Sequence, residues 1–136
     1  RRQRQMCIRD RSRTTGKREI VKAALESIAY QITDVVEMMK AEDGVTVRGL
    51  CVDGGPTKNE YLMRFQSSML QTPVCLPDCE ESSALGAALM AGITYGLYTM
   101  ELLTHHSARQ QFQPAMMEDE RNEKYAGWKA AVEKVL

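Results

Sequence analysis

Apolar residues recur three or four apart early in the chain. Ile20, Ala24, Ile28, Ile32, Val35, Val36 and Met39 predict one amphipathic helix over residues 17 to about 41. Glu42-Asp43-Gly44 ends it, with Gly44 suited to the C-terminal cap. The pattern then tightens, and Val45, Val47, Leu50 and Val52 predict a strand. Cys51 is expected to be buried in that strand as a small apolar thiol. Gly54-Gly55 breaks the run, and helical spacing resumes over 58–70 with Tyr61, Leu62, Phe65 and Leu70 turned inward. Residues 73–77 read as a second short strand.

Ser82 and Ser83 offer an N-cap for a helix from 84 to about 97. That helix is rich in small residues: Ala84, Gly86, Ala87, Ala88, Ala91 and Gly92. A glycine inside a helix costs about 1 kcal/mol relative to alanine, so close packing against another helix or a ligand is expected to offset it. Beyond Gly96 the pattern predicts a shorter helical stretch, then an irregular segment through Pro114. A last amphipathic helix starts near Asp119. The order α-β-α-β-α followed by peripheral helices argues for a helix-rich α/β layer structure with a small sheet. A strand pair rarely stands alone, so the chain reads as a piece of a larger fold.

With 136 residues there is room for one domain with a modest core. Hydrophobic content of 43% and charged content of 26% place it among ordinary globular proteins. Net charge is zero but unevenly placed. Residues 1–18 hold eight Lys or Arg against Asp10 alone, and the remainder holds ten against seventeen acids. No aromatic residue interleaves the arginines and no recognition motif follows, so no nucleic-acid partner is expected. Residues 1–13 are read as a foreign or disordered tail, since they are too polar for a signal peptide and do not begin with Met. No apolar run approaches the roughly 20 residues of a membrane span. Cys7, Cys51, Cys75 and Cys79 form no dense disulfide framework, which suits a reducing cytoplasm.

The chemistry concentrates at Cys51-Val52-Asp53-Gly54-Gly55-Pro56-Thr57-Lys58-Asn59. A strand, a turn without side chains and a helix start favour a polar or anionic ligand, because helix N-termini expose unpaired N–H groups. Two glycines let backbone approach a flat base or a phosphate closely. Asn59 could offer a donor and an acceptor to such a ligand, or could simply cap the helix that follows. Cys75 and Cys79 with His105-His106 include zinc-capable side chains. Structural zinc sites pair tighter knuckles, and no metal site is expected there. A hydrolase reading lacks the Gly-x-Ser-x-Gly turn. The acidic Met116-Met117-Glu118-Asp119-Glu120 run suits a helix start.

Four segments in order, ALESIAYQITDVVEMM, VDGGPTKNEYLMRFQSSML, SSALGAALMAGI and YAGWKAAV, resemble the C-terminal end of the FGGY carbohydrate kinases. The Leu-Met-x-Phe-Gln-Ser run and the Tyr-Ala-Gly-Trp-Lys end lean towards the glycerol-phosphorylating branch. The resemblance implies a ribonuclease H-like or actin-like lobe, with residues 14–136 forming the later part of the second of two lobes. It also implies an ATP-dependent cytoplasmic enzyme, homo-oligomeric when intact, using Mg²⁺ and a small polyol or sugar. Gly54, Gly55 and Asn59 match its adenosine motif, with Gly55 and Asn59 as nucleotide contacts, and the segment ending at Ile93 packs beside that site. Asp53 is not assigned a catalytic role. No residue matches the catalytic base, the N-terminal phosphate loop or the substrate pocket, so Mg²⁺ is expected to be held mainly elsewhere and the chain to be inactive alone. The residues at 114–118 depart from those with which some bacterial members dock a glucose-specific regulatory protein, and that partner is not expected. A pentulose such as xylulose or ribulose is the alternative substrate. A non-catalytic scaffold with a vestigial cleft is the alternative of another class.

Overall fold

The computed structural model describes residues 15–43, 46–78, 81–104 and 108–135. The readings of residues 1–13 as a tail, of Gly44 as a cap, and of Cys7, Cys79 and His105-His106 lie outside the described residues. The elements are α1 (Lys17–Asp43), β1 (Leu50–Cys51), a 3-10 turn (Gly55–Lys58), α2 (Glu60–Leu70) and β2 (Val74–Pro77). They continue with α3 (Ser82–Thr94), a second 3-10 turn (Met100–Thr104), β3 (Ala108–Phe112) and α4 (Glu118–Glu133).

The helix α2 is the centre of the packing, with eight of its eleven residues buried. Leu62, Met63, Phe65 and Met69 meet Ala29 of α1, Val74 of β2, Phe112 of β3 and Tyr125 of α4. Three of its polar side chains, Gln66, Ser67 and Ser68, are buried too, and they fasten its neighbours. The Ser67 hydroxyl lies 3.0 Å from the Thr72 carbonyl and 2.9 Å from that of Phe112, and Ser68 Oγ accepts from the Ala115 N–H at 3.2 Å. Buried hydroxyls demand such partners, because an unpaired one costs about 1–3 kcal/mol. The helix ends at Gln71, a non-glycine residue with φ +52. Its side-chain amide donates to the Ser68 and Met116 carbonyls at 2.7 and 3.1 Å, holding the turn in place.

Among the described residues the sheet has three strands, in the order β1-β2-β3. The strands β1 and β2 are parallel, joined through α2, with Leu50 opposite Val74 and Cys51 opposite Cys75. The strand β3 runs antiparallel to β2, with an irregularity at Leu76/Pro77. It falls inside the segment expected to be irregular. ARQQF carries no apolar alternation, and pairing with the open edge of β2 supplies what side-chain pattern does not.

The helix α1 buries a different face from the one its large apolar residues suggest. Ala29, Thr33 and Val36 are buried, whereas Ile20, Ala24, Ile28, Val35 and Met39 are exposed. Spacing of four and three puts Ala29, Thr33 and Val36 on one line, and the small side chains at its centre let α2 come close. Thr33 satisfies its own hydroxyl on the Ala29 carbonyl at 2.8 Å.

Other expectations also shift. The first strand pairs only at Leu50–Cys51, and Cys51 is exposed rather than buried, because it points away from the core that Leu50 and Val52 join. Tyr61 is 43% exposed, its hydroxyl reaching Glu26 at 2.5 Å. The helix α3 begins at Ser82 with Glu81 in the cap position and no side-chain cap, and Gly96 at φ +70 follows its end. Gly86 has open space where a Cβ would stand, while Gly92 is the close approach, its position filled by the Tyr98 ring.

On α4, three acids occupy the first turn, where the helix dipole favours them. Arg121 clips the helix down, donating to the Met69 carbonyl at 2.9 Å and to Glu37 at 3.0 Å. Tyr30 stacks on Trp128, ring centroids 5.3 Å apart.

Candidate functional site

The C-terminal ends of β1 and β2 open into a cleft of about 540 Å³. Its apolar floor is Val52, Leu76 and Phe112, continuous with the core. One wall is the turn, through Asp53, Gly54, Gly55, Thr57 and Lys58, and Glu60, Pro77, Glu81 and Gln110 complete the lining. An apolar floor with a few polar groups at its edge is the ordinary form of a small-molecule site. Its position beyond the carboxyl ends of parallel strands is where open α/β sheets bind ligands.

The turn is fixed by its own chemistry. Gly54 takes φ +93, which a side chain would resist. Its carbonyl accepts from the Thr57 N–H at 3.1 Å and from the Thr57 hydroxyl at 2.6 Å. Pro56 enters the first positions of the 3-10 turn, where its missing N–H costs nothing. Gly55 lines the cleft and has no atom within 4 Å of where a Cβ would stand. A side chain there would project into open space, so glycine keeps a stretch of bare backbone facing the cleft.

Asn59 lies at the end of this turn in a different role. Its Oδ1 accepts from the Leu62 N–H at 3.2 Å, making it the N-cap of α2, and it is not among the residues lining the cleft. Gly54 and Gly55 therefore come together at the opening, and Asn59 stands behind them. Thr57 and Lys58 are lining residues that adjacency to the glycine pair could have flagged. Gln110 and Phe112 carried no signal in the sequence, since they enter the site only through the pairing of β3 with β2.

The described residues include no group of three His, Cys, Asp or Glu able to hold a metal ion. No helix among them is long and apolar enough to cross a membrane.

The geometry suits a small ligand with a flat face. Bare backbone at Gly55 can lie against a planar base, the apolar floor can shield one of its faces, and Lys58 brings positive charge to the rim. The 3-10 turn is only four residues long, so the amides alone make no anion site.

The model of the FGGY family of carbohydrate kinases, C-terminal domain, matches residues 1–95. The glycerol kinase of Bacillus velezensis is 44% identical over 123 residues, covering 89% of this chain and 25% of that protein. The glycerol kinase of Petrotoga mobilis is 47% identical over 125 residues, covering 90% and 25%. Among solved structures, Plasmodium falciparum glycerol kinase with ADP superposes with a TM-score of 0.80 at 30% identity, covering 93% of this chain and 26% of that one. A xylulose kinase from Lactobacillus acidophilus reaches a TM-score of 0.75 at 18% identity, a likeness of fold alone. The chain thus spans about a quarter of the length of the relatives it matches.

Proposed function

The chain belongs to the FGGY family of carbohydrate kinases, part of whose actin-like fold its elements reproduce, and from that premise we propose that it is the nucleotide-binding C-terminal part of an ATP-dependent glycerol kinase. In this reading residues 14–136 are the later portion of the second lobe. The intact enzyme, a homo-oligomer in the cytoplasm, converts glycerol and ATP to glycerol 3-phosphate and ADP. The observation that carries it is the cleft at the end of β1, with unobstructed Gly55 backbone on its wall and Val52, Leu76 and Phe112 on its floor. The glycerol kinase relatives at 44% and 47% identity support the choice of substrate.

In this role the chain binds and orients. Gly54 sets the turn, Gly55 lies against the adenosine, and Asn59, which caps α2 behind them and does not line the cleft, would turn its remaining amide group towards the opening to meet the base or ribose. When bound, ATP with Mg²⁺ would supply the transferable phosphoryl group and the charge that neutralises it. The base that deprotonates the attacking hydroxyl and the principal metal contacts are assigned to parts of the enzyme outside this chain.

Exposed apolar residues on α3 and beyond it, including Leu85, Met90, Tyr95, Leu97 and Met100, support a partial lobe. Apolar surface on that scale is covered in a finished domain.

The test is ADP release by the protein made from the complete reading frame that contains this chain, offered glycerol, D-xylulose or L-ribulose. Turnover on glycerol, with the KM for ATP raised by Gly55→Val, is the expected result. Turnover on a pentulose alone would keep the kinase and overturn the substrate. No turnover on any of the three would favour a scaffold with a vestigial cleft.

A further inference from the structure

Cys51 and Cys75 stand directly opposite each other in the parallel β1–β2 ladder. Both are free thiols, Cys51 exposed and Cys75 half-buried. Strand alternation fixes where they point. Leu50, Val52, Val74 and Leu76 belong to the core or pack against it, so the residues between them project from the opposite face of the sheet. Opposite residues on neighbouring strands share a face, and the strands lie about 4.8 Å apart. That spacing falls inside the range of about 4.4–6.8 Å between Cα atoms that a disulfide requires. The ladder bonds on either side, from the Leu50 N–H to the Pro73 carbonyl at 2.9 Å and from the Val52 N–H to the Cys75 carbonyl at 3.0 Å, hold this register.

We propose that Cys51 and Cys75 form a cross-strand dithiol that hydroperoxides oxidise reversibly to a disulfide. Solvent reaches both thiols, as an oxidant requires, whereas a buried thiol is inert. The more exposed Cys51 reacts first. Its sulfur attacks one peroxide oxygen, forming an Sγ–O bond as the O–O bond breaks and one water leaves. The Cys75 sulfur then attacks the oxidised sulfur, forming the Sγ–Sγ bond as the Sγ–O bond breaks and a second water leaves. The two thiols together lose two hydrogens, and hydrogen peroxide becomes two waters. A bond formed across an exposed pair of strands is the labile, readily reduced kind. The pair ends at the residue before Val52 and Asp53, which line the cleft.

Peptide mapping of the complete protein tests the proposal. Cleavage before Asp43, Asp53 and Asp78 places Cys51, Cys75 and Cys79 on three separate peptides. After treatment with hydrogen peroxide, the peptides 43–52 and 53–77 are expected to run as one species two hydrogens lighter than their sum. Dithiothreitol should separate them, and Cys75→Ser should remove the linked species altogether. In protein unfolded with urea before oxidation, the same linkage should lose its predominance. Cys51 joined instead to Cys79 or to another cysteine, or both thiols remaining reduced, would overturn the proposal. So would oxidation of Cys51 to a sulfinic acid while Cys75 stays free.

Discussion

Asn59 Oδ1 accepts from the backbone N–H of Leu62 at 3.2 Å, so the asparagine beside the glycine pair starts the central helix of the fold. The same side chain keeps an NH₂ group that the helix does not use, and the two roles can be separated by substitution. Asn59→Ala removes the cap and is expected to lower stability by about 0.5–2 kcal/mol, together with nucleotide affinity. Asn59→Asp keeps the accepting oxygen and should hold its melting temperature while still losing nucleotide affinity. Thermal melts beside calorimetric titration with ADP separate the effects. Undiminished affinity in Asn59→Asp would assign the residue to the helix alone.

The two glycines should respond differently. Gly54 sits at φ +93 and ψ 176, and Gly54→Ala is expected to cost about 1–3 kcal/mol of stability through backbone strain. Gly55 has free space at its Cβ position, so Gly55→Val should leave stability within about 0.5 kcal/mol. The added side chain would occupy the cleft, and a loss of nucleotide affinity of about tenfold or more, equivalent to about 1.4 kcal/mol, is expected. Denaturant melts and ADP titration give both quantities. A Gly55→Val protein that binds ADP normally would move the nucleotide elsewhere.

Two tyrosines are expected to make the fold sensitive to alkali. Burial, then a hydrogen bond to Glu26, pushes the Tyr61 hydroxyl above its ordinary range. Burial, then the bond to Asp34, does the same for Tyr125. A group whose pKa is raised by folding keeps its proton longer in the native state than in the unfolded one. Its contribution is complete below the unfolded pKa of about 10 and is lost as pH rises through the folded value. The melting temperature should therefore fall above about pH 10 more steeply in the parent than in the Tyr61→Phe/Tyr125→Phe protein. Parallel slopes for the two proteins would remove these hydroxyls from the account.

Gly92 and Tyr98 give a further test, in which the sign of an effect reverses. A methyl at Gly92 would run into the Tyr98 ring at Cδ2 and Cε2, although alanine suits a helix better than glycine by about 1 kcal/mol. Gly92→Ala is expected to lower the melting temperature in the parent and to raise it in a Tyr98→Ala background. Scanning calorimetry of the four proteins completes the cycle. Stabilisation in both backgrounds would show that the ring moves aside at no cost.

Local signals in the sequence determined a good deal about this protein. Helical spacing located α1, α2, α3 and α4, and the glycine pair located the turn, because backbone period and glycine's access to positive φ are properties of a few neighbouring residues. The resemblance of the Gly-Gly turn and the Ala-Leu-Gly-Ala-Ala helix to the FGGY kinases was legible for the same reason. Tertiary structure alone decided the rest. Ala29, Thr33 and Val36 are buried in place of the larger isoleucines because α2 crosses α1 along that line. The segment at 108–112 becomes a strand because β2 has an open edge, which no pattern within ARQQF announces. The register that sets Cys51 against Cys75, and the cleft that brings Phe112 to Gly55, join residues far apart in the chain. Such contacts depend on how finished elements pack, and periodicity within one element carries no record of its partner.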